Sequence, residues 1–132
     1  MNRPALMLTL PVLVIACYAV CAAPRIRIDG FFGEPFEIFW QTDTQYAEDY
    51  SHLAFKRIEV GMTEQQVLAI LGEPLYRWMP YGGRSTRKRF PEKAHFVGLV
   101  YSRSPTSKHY RLRQINLDNG VVAEIRGYFY VD

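Results

Sequence analysis

The chain has 132 residues, of which 48% are hydrophobic, 14% aromatic and 22% charged, with a formal net charge of +3. That length holds one small domain, and that composition excludes a disordered or low-complexity chain. The apolar content is unevenly spread: Ala5 to Ala23 is a run of 19 positions without a charge. It leaves enough chain for a modest core and too little for a large enzyme.

The N-terminus reads as an export address, with Arg3 as the basic n-region and Ala5 to Ala16 as the apolar h-region. Three fates remain open for residues 1–23. Val14-Ile15-Ala16-Cys17 fits a lipobox with Cys17 as the lipid acceptor; Val20-Cys21-Ala22 fits ordinary signal-peptidase cleavage; and the uncleaved run is long enough to anchor in a bilayer, at about 28 Å as a helix. Each fate puts the domain outside the cytosol. Both cysteines, Cys17 and Cys21, fall in this region. The chain from Pro24 onward therefore has no means of forming an internal disulfide, a thiolate metal site or a cysteine nucleophile.

Charge is split beyond it. Residues 24–72 hold eight acids against four bases, and residues 73–132 hold eleven bases against five acids. The densest group is Arg84, Arg87, Lys88, Arg89 and Lys93, opposed only by Glu92. It reads as a long basic loop over residues 82–93, a candidate contact for anionic head groups, polysaccharide or an acidic partner. No aromatics alternate with these bases as a nucleic-acid stacking groove requires, and an exported protein has no nucleic acid to meet.

In chain order, residues 24–41 form an aromatic segment with Phe31, Phe32, Phe36, Phe39 and Trp40, expected to pack on the domain or to serve as a partner-binding arm. Tyr46, Tyr50 and Leu53 share one face of a helix over Thr42 to Lys56, with Thr42 and Gln45 as a capping box. Met62 to Pro74 carries the clearest local signals. Thr63 caps, Gln66 reaches back, Met62 and Val67 form a staple, and Val67, Ile70 and Leu71 are buried. Gly72 then ends the helix and Pro74 prevents its continuation, which sets bounds of Glu64 to Leu71.

The period then becomes extended. Strands are expected at Leu75 to Tyr81, His95 to Ser102, Tyr110 to Leu117 and Val121 to Val131, the last two joined by Asp118-Asn119-Gly120 as a hairpin. In the last strand Val121, Ala123, Ile125, Phe129 and Val131 fall on one face. Tyr110 and Leu112 are out of phase with Ile115 and Leu117, which places a bulge near Arg113. The fold class is α+β: two helices packed on a three- to four-stranded antiparallel sheet, with no repeat and no second domain beyond residues 42–132.

The run Ile58 to Pro74 resembles the SmpA/OmlA family, the BamE-type small envelope lipoproteins. Gly61, Met62, Thr63, Val67, Leu71, Gly72, Glu73 and Pro74 match that family's pattern, supported by Trp78 and the Asp118 to Val121 turn. The resemblance implies an αα-βββ lipoprotein of the outer membrane. It would be an accessory of the machine that inserts β-barrel proteins, with affinity for anionic phospholipid in some members. The aromatic segment and the basic loop depart from the family pattern.

No catalytic constellation stands out. His52, His95 and His109 fall in no HxxxH or HExxH arrangement, and no G-x-S-x-G occurs. The expectation is a non-enzymatic envelope protein without cofactor, metal or catalytic residues, acting as a protein-binding scaffold. The alternatives are a module facing anionic lipid or polysaccharide, and a secreted inhibitor-like binding protein.

Overall fold

A computed structural model describes residues 3–40, 43–106 and 109–131. In chain order the elements are α1 (Arg3–Asp29), α2 (Gly33–Trp40), β1 (Gln45–Tyr46), α3 (His52–Phe55), α4 (Glu64–Leu71), β2 (Tyr76–Trp78), α5 (Arg84–Arg89), a 3-10 turn (Pro91–Lys93), β3 (Val97–Val100), β4 (Ser102–Arg103), β5 (Tyr110–Asp118) and β6 (Val121–Tyr130). The main sheet is antiparallel with spatial order β2-β3-β5-β6, and β1 pairs with β4 as a two-stranded extension. The α+β class and the helix-sheet layering therefore stand.

The sheet is two-sided. Its inner face carries Leu99, Ile115, Leu117 and Val122, which pack with Phe55, Ile58, Val67 and Leu71 from α3, α4 and their connection. Its outer face carries Tyr76, Trp78, Gln114, Asn116, Glu124, Arg126 and Tyr128, by the register that pairs Trp78 with Gly98, Gln114 with Arg126 and Leu112 with Tyr128. A two-residue turn joins β5 to β6, with Asn119 at φ 49° and Gly120 at φ 81°, the positive values that an Asn-Gly hairpin uses.

Three expectations need correction. The expected helix over 42–56 is reduced to α3, and the described residues 43–51 are not helical. Gln45 and Tyr46 pair with Arg103 and Ser102 in a strand, and the helix begins only after Ser51, whose hydroxyl accepts from the Ala54 N–H at 3.1 Å. Tyr46 and Tyr50 do meet, stacked at 4.7 Å, but through a turn, and Leu53 is exposed. The Thr42 part of the expected capping box lies outside the described residues.

The second correction concerns the bulge. β5 alternates without interruption, and the register shift falls on β6, where Leu117 faces Val122 and Asn116 faces Glu124, leaving Ala123 as the extra residue. Val122 thereby turns inward and is 1% exposed, while Ile125 and Phe129 keep the inner face beyond the bulge. The phase slip read at Arg113 has another cause. The inner-face positions of β5 at that end are Arg111 and Arg113, buried at 1% and 0% exposure.

Third, the basic stretch is not a loop. It forms α5 and the 3-10 turn, and Thr86 bonds back to the Gly83 carbonyl at 3.0 Å to start the helix.

α1 runs through Pro24 without a break. From Leu10 to Asp29 it is long and apolar enough to cross a membrane, as a signal sequence also is. Leu10, Val12, Leu13, Val14, Ile15 and Val20 are exposed on it. Its C-terminal end docks on the sheet: Ile28 sits over Gly127, where an added Cβ would meet the Ile28 Cγ2 at 2.6 Å.

Candidate functional site

α4 is built by its own sequence. The Thr63 hydroxyl accepts from the Gln66 N–H at 3.3 Å, and the Gln66 Oε1 accepts from the Thr63 N–H at 2.8 Å. Val67 and Leu71 are fully buried, with Met62 and Ile70 packed beside them. Gly61 has φ +95° and its N–H donates to the Val122 carbonyl at 2.9 Å, which ties the helix entry to the start of β6.

Gly72 closes the helix at φ 72° and ψ −166°, a region essentially reserved for glycine and distinct from the left-handed αL cap expected. An added Cβ there would also lie 2.6 Å from the Asp49 side chain. The Gly72 carbonyl accepts from the Tyr101 hydroxyl at 3.0 Å, which fixes the helix exit on the sheet. Gly61, Met62, Thr63, Val67, Leu71 and Gly72 thus each have a folding role, and Pro74 follows the stop.

Residues 52–86 match the family model of the outer membrane protein assembly factor BamE domain. The resemblance read from Ile58 to Pro74 falls within that span and is borne out there; the match runs from α3 into the first turn of α5. The matched segment covers α3, α4 and the edge strand β2. No match was found among curated proteins or among solved structures.

Around this segment lie two clusters of charge. On the inner face, Asp29 at the end of α1 accepts from Arg111 Nη1, and from Arg113 at 2.7 Å to each oxygen. Glu34 of α2 accepts from Arg111 Nη2 at 3.0 Å, from the Tyr18 hydroxyl at 2.8 Å and from Arg25 at 3.3 Å. The chain of bonds continues inward: Arg113 Nε donates to the Tyr50 hydroxyl at 2.9 Å, which lies 3.0 Å from His52 Nδ1. Burial and the Arg113 charge push the His52 pKa down to about 4. A neutral His52 thus forms an uncharged hydrogen-bonded pair with the Tyr50 hydroxyl, the tautomer of its ring setting which of the two donates.

Asp29 and Glu34 tie the aromatic segment to the domain, while Phe31, Phe32 and Phe39 are exposed. The Trp40 and Phe36 side chains lie outside the described residues.

On the outer face, Glu124 accepts from Lys93 at 2.6 Å, from Tyr81 at 2.8 Å, from Asn116 at 2.8 Å and from Arg126 at 3.1 Å. Burial raises the Glu124 carboxyl, but those bonds outweigh it and bring its pKa down to about 2. Lys93 also lies over the rings of Tyr81 and Phe90. It is therefore engaged with the sheet and not a free member of the basic patch. Arg84, Arg87, Lys88 and Arg89 remain exposed on α5.

Beside the Glu124 cluster the outer face holds a groove of about 270 Å³. Tyr76 and Trp78 of β2 stand on one side, Tyr110, Tyr128 and Tyr130 on the other, with Leu112, Gln114 and Arg126 completing the lining. Gly98 makes room for it, since a Cβ there would meet the Trp78 indole nitrogen at 2.8 Å. The alternation of β6 already puts Glu124, Arg126, Tyr128 and Tyr130 on one face; what it lacks is any sign that β2 brings two more rings opposite them. Among the described residues, no group of three or more His, Cys, Asp or Glu is placed to hold a metal ion.

Proposed function

We propose that this protein is a non-enzymatic accessory of the bacterial envelope, held at a membrane by its N-terminal segment and binding another envelope protein of the outer-membrane assembly type. The observation that carries this reading is the BamE match over residues 52–86, together with the exposed apolar helix that precedes it. The division at residue 23, the accessory domain from residue 42 and lipidation at Cys17 belong to this proposal. Cys17 is exposed on α1.

Crosslinking in intact cells, followed by purification from detergent-solubilised envelope, should enrich components of the β-barrel assembly complex over a bait in which Gly72→Val has damaged α4. An eluate without them overturns the reading. A palmitate analogue should label the wild type and not Cys17→Ala; equal labelling of the two removes Cys17 as the lipid site.

A second reading rests on α5, whose four exposed bases face solvent within six residues. Each base near an anionic bilayer contributes about 1 kcal/mol, so the helix would add to a lipid anchor. Vesicles with phosphatidylglycerol should retain the wild type better than a variant with Arg84, Arg87, Lys88 and Arg89 all changed to Gln, and added salt should erase the difference.

A further inference from the structure

The groove on the outer face is a site that neither the BamE-type segment nor the basic helix accounts for. We propose that it binds a saccharide bearing a carboxylate or phosphate, with the sugar rings stacked between the β2 and β5–β6 aromatics and the anion at Arg126. This goes beyond the accessory reading and does not depend on it.

The chemistry follows from the lining. Five aromatic rings offer flat apolar faces, as the C–H face of a pyranose requires, and they are partly exposed: Tyr76 by 46%, Trp78 by 46% and Tyr128 by 42%. Between them Gln114 is 2% exposed, a buried amide at the bottom of an open groove rather than a surface side chain. Its Nε2 donates to Asn116 at 2.5 Å, which fixes the amide plane. A small number of placed polar groups among rings is how a pocket orients a polar ligand. An acyl chain would cover the Arg126 guanidinium without offering it any further acceptor.

Charge selects among saccharides. Arg126 is the single ionised side chain of the lining, and no acid accompanies it. Its Nη2 is held by Tyr81 at 2.5 Å and by Glu124 at 3.1 Å, so the guanidinium is fixed before a ligand arrives. Glu124 does not cancel it, because Lys93 already pairs with the same carboxylate at 2.6 Å. The three groups together carry one surplus positive charge, complementary to a single anionic group.

Calorimetric titration of the full chain in detergent with trigalacturonate, maltotriose and the peptide Tyr-Glu-Tyr tests this. Trigalacturonate should bind about tenfold more tightly than maltotriose. Tyr130→Ala should weaken both sugars about tenfold, and Tyr76→Ala, on the edge strand, should do the same if the first variant is unstable. Arg126→Gln should remove the preference for trigalacturonate while leaving maltotriose unchanged. The variant lacking the four α5 bases should keep the wild-type affinity. The proposal is overturned by an absence of heat with either sugar at millimolar concentration, or by groove variants that bind like the wild type. It is equally overturned by loss of binding in the α5 variant, or by a peptide that binds more tightly than both sugars.

Discussion

The β5–β6 hairpin carries an arginine-carboxylate cluster on each of its faces, and the two differ in water. On the inner face Asp29, Arg111 and Arg113 have side chains 0–1% exposed. On the outer face the Glu124, Lys93 and Arg126 side chains are 22%, 33% and 34% exposed. The chemistry is the same and the consequences are not. A buried ion whose partner is removed has nothing to replace it, whereas a half-exposed one recruits solvent. The inner cluster therefore acts as a clasp for the N-terminal segment, and the outer one as a half-exposed base for the groove.

The largest effect should come from breaking the inner side. Asp29→Ala leaves two buried guanidinium groups facing each other and should cost about 3–5 kcal/mol, read as a lower urea midpoint. Gly72→Val, also on the inner layer, should cost about 3 kcal/mol, since it combines a glycine-only conformation with a clash against Asp49. Glu124→Gln should cost only about 1 kcal/mol; a loss as large as that of Asp29→Ala would erase the distinction between the faces.

Acid should sharpen the comparison by separating the clusters in pH. His52 has a folded pKa of about 4 against an ordinary 6.5, so it stabilises the fold while neutral, and that contribution is lost as pH falls from about 6.5 through 4. Glu124 has a folded pKa of about 2 against 4.5, so its contribution survives to lower pH and is lost between about 4.5 and 2. Denaturation midpoints against pH should show the first decline in the wild type and not in His52→Gln. The second should be absent from Glu124→Gln.

What the sequence made legible was local. The capping box, the buried positions and the stop of α4 lie within ten residues of one another, and their bounds are found as expected. The Asn119-Gly120 turn is legible for the same reason. The inner cluster was hidden because Asp29 is separated from Arg111 and Arg113 by 82 and 84 residues. Arginine at an inner-face position reads as surface until its acid is known, and that made an unbroken strand look slipped. The true bulge at Ala123 sits in a run of small and β-branched residues that announces nothing. The Tyr46 and Tyr50 spacing misled for a different reason: a turn brings residues four apart as close as a helix does. As for the groove, its last-strand half was visible in the alternation, while the half from β2 depended on strand order.

The continuity of α1 has a consequence for reach. A flexible leader would let a domain sweep a wide volume around its point of attachment. Here the helix passes unbroken through Pro24 and is clamped at its last residue, so Cys17 and Asp29 are separated by a stiff spacer of about 18 Å. Anything tethered at Cys17 would carry the domain as a mast carries a vane, at one height and with one side turned outward. Lengthening that spacer by a full turn would raise the domain about 5 Å without turning it, whereas a two-residue insertion would swing it to face the other way.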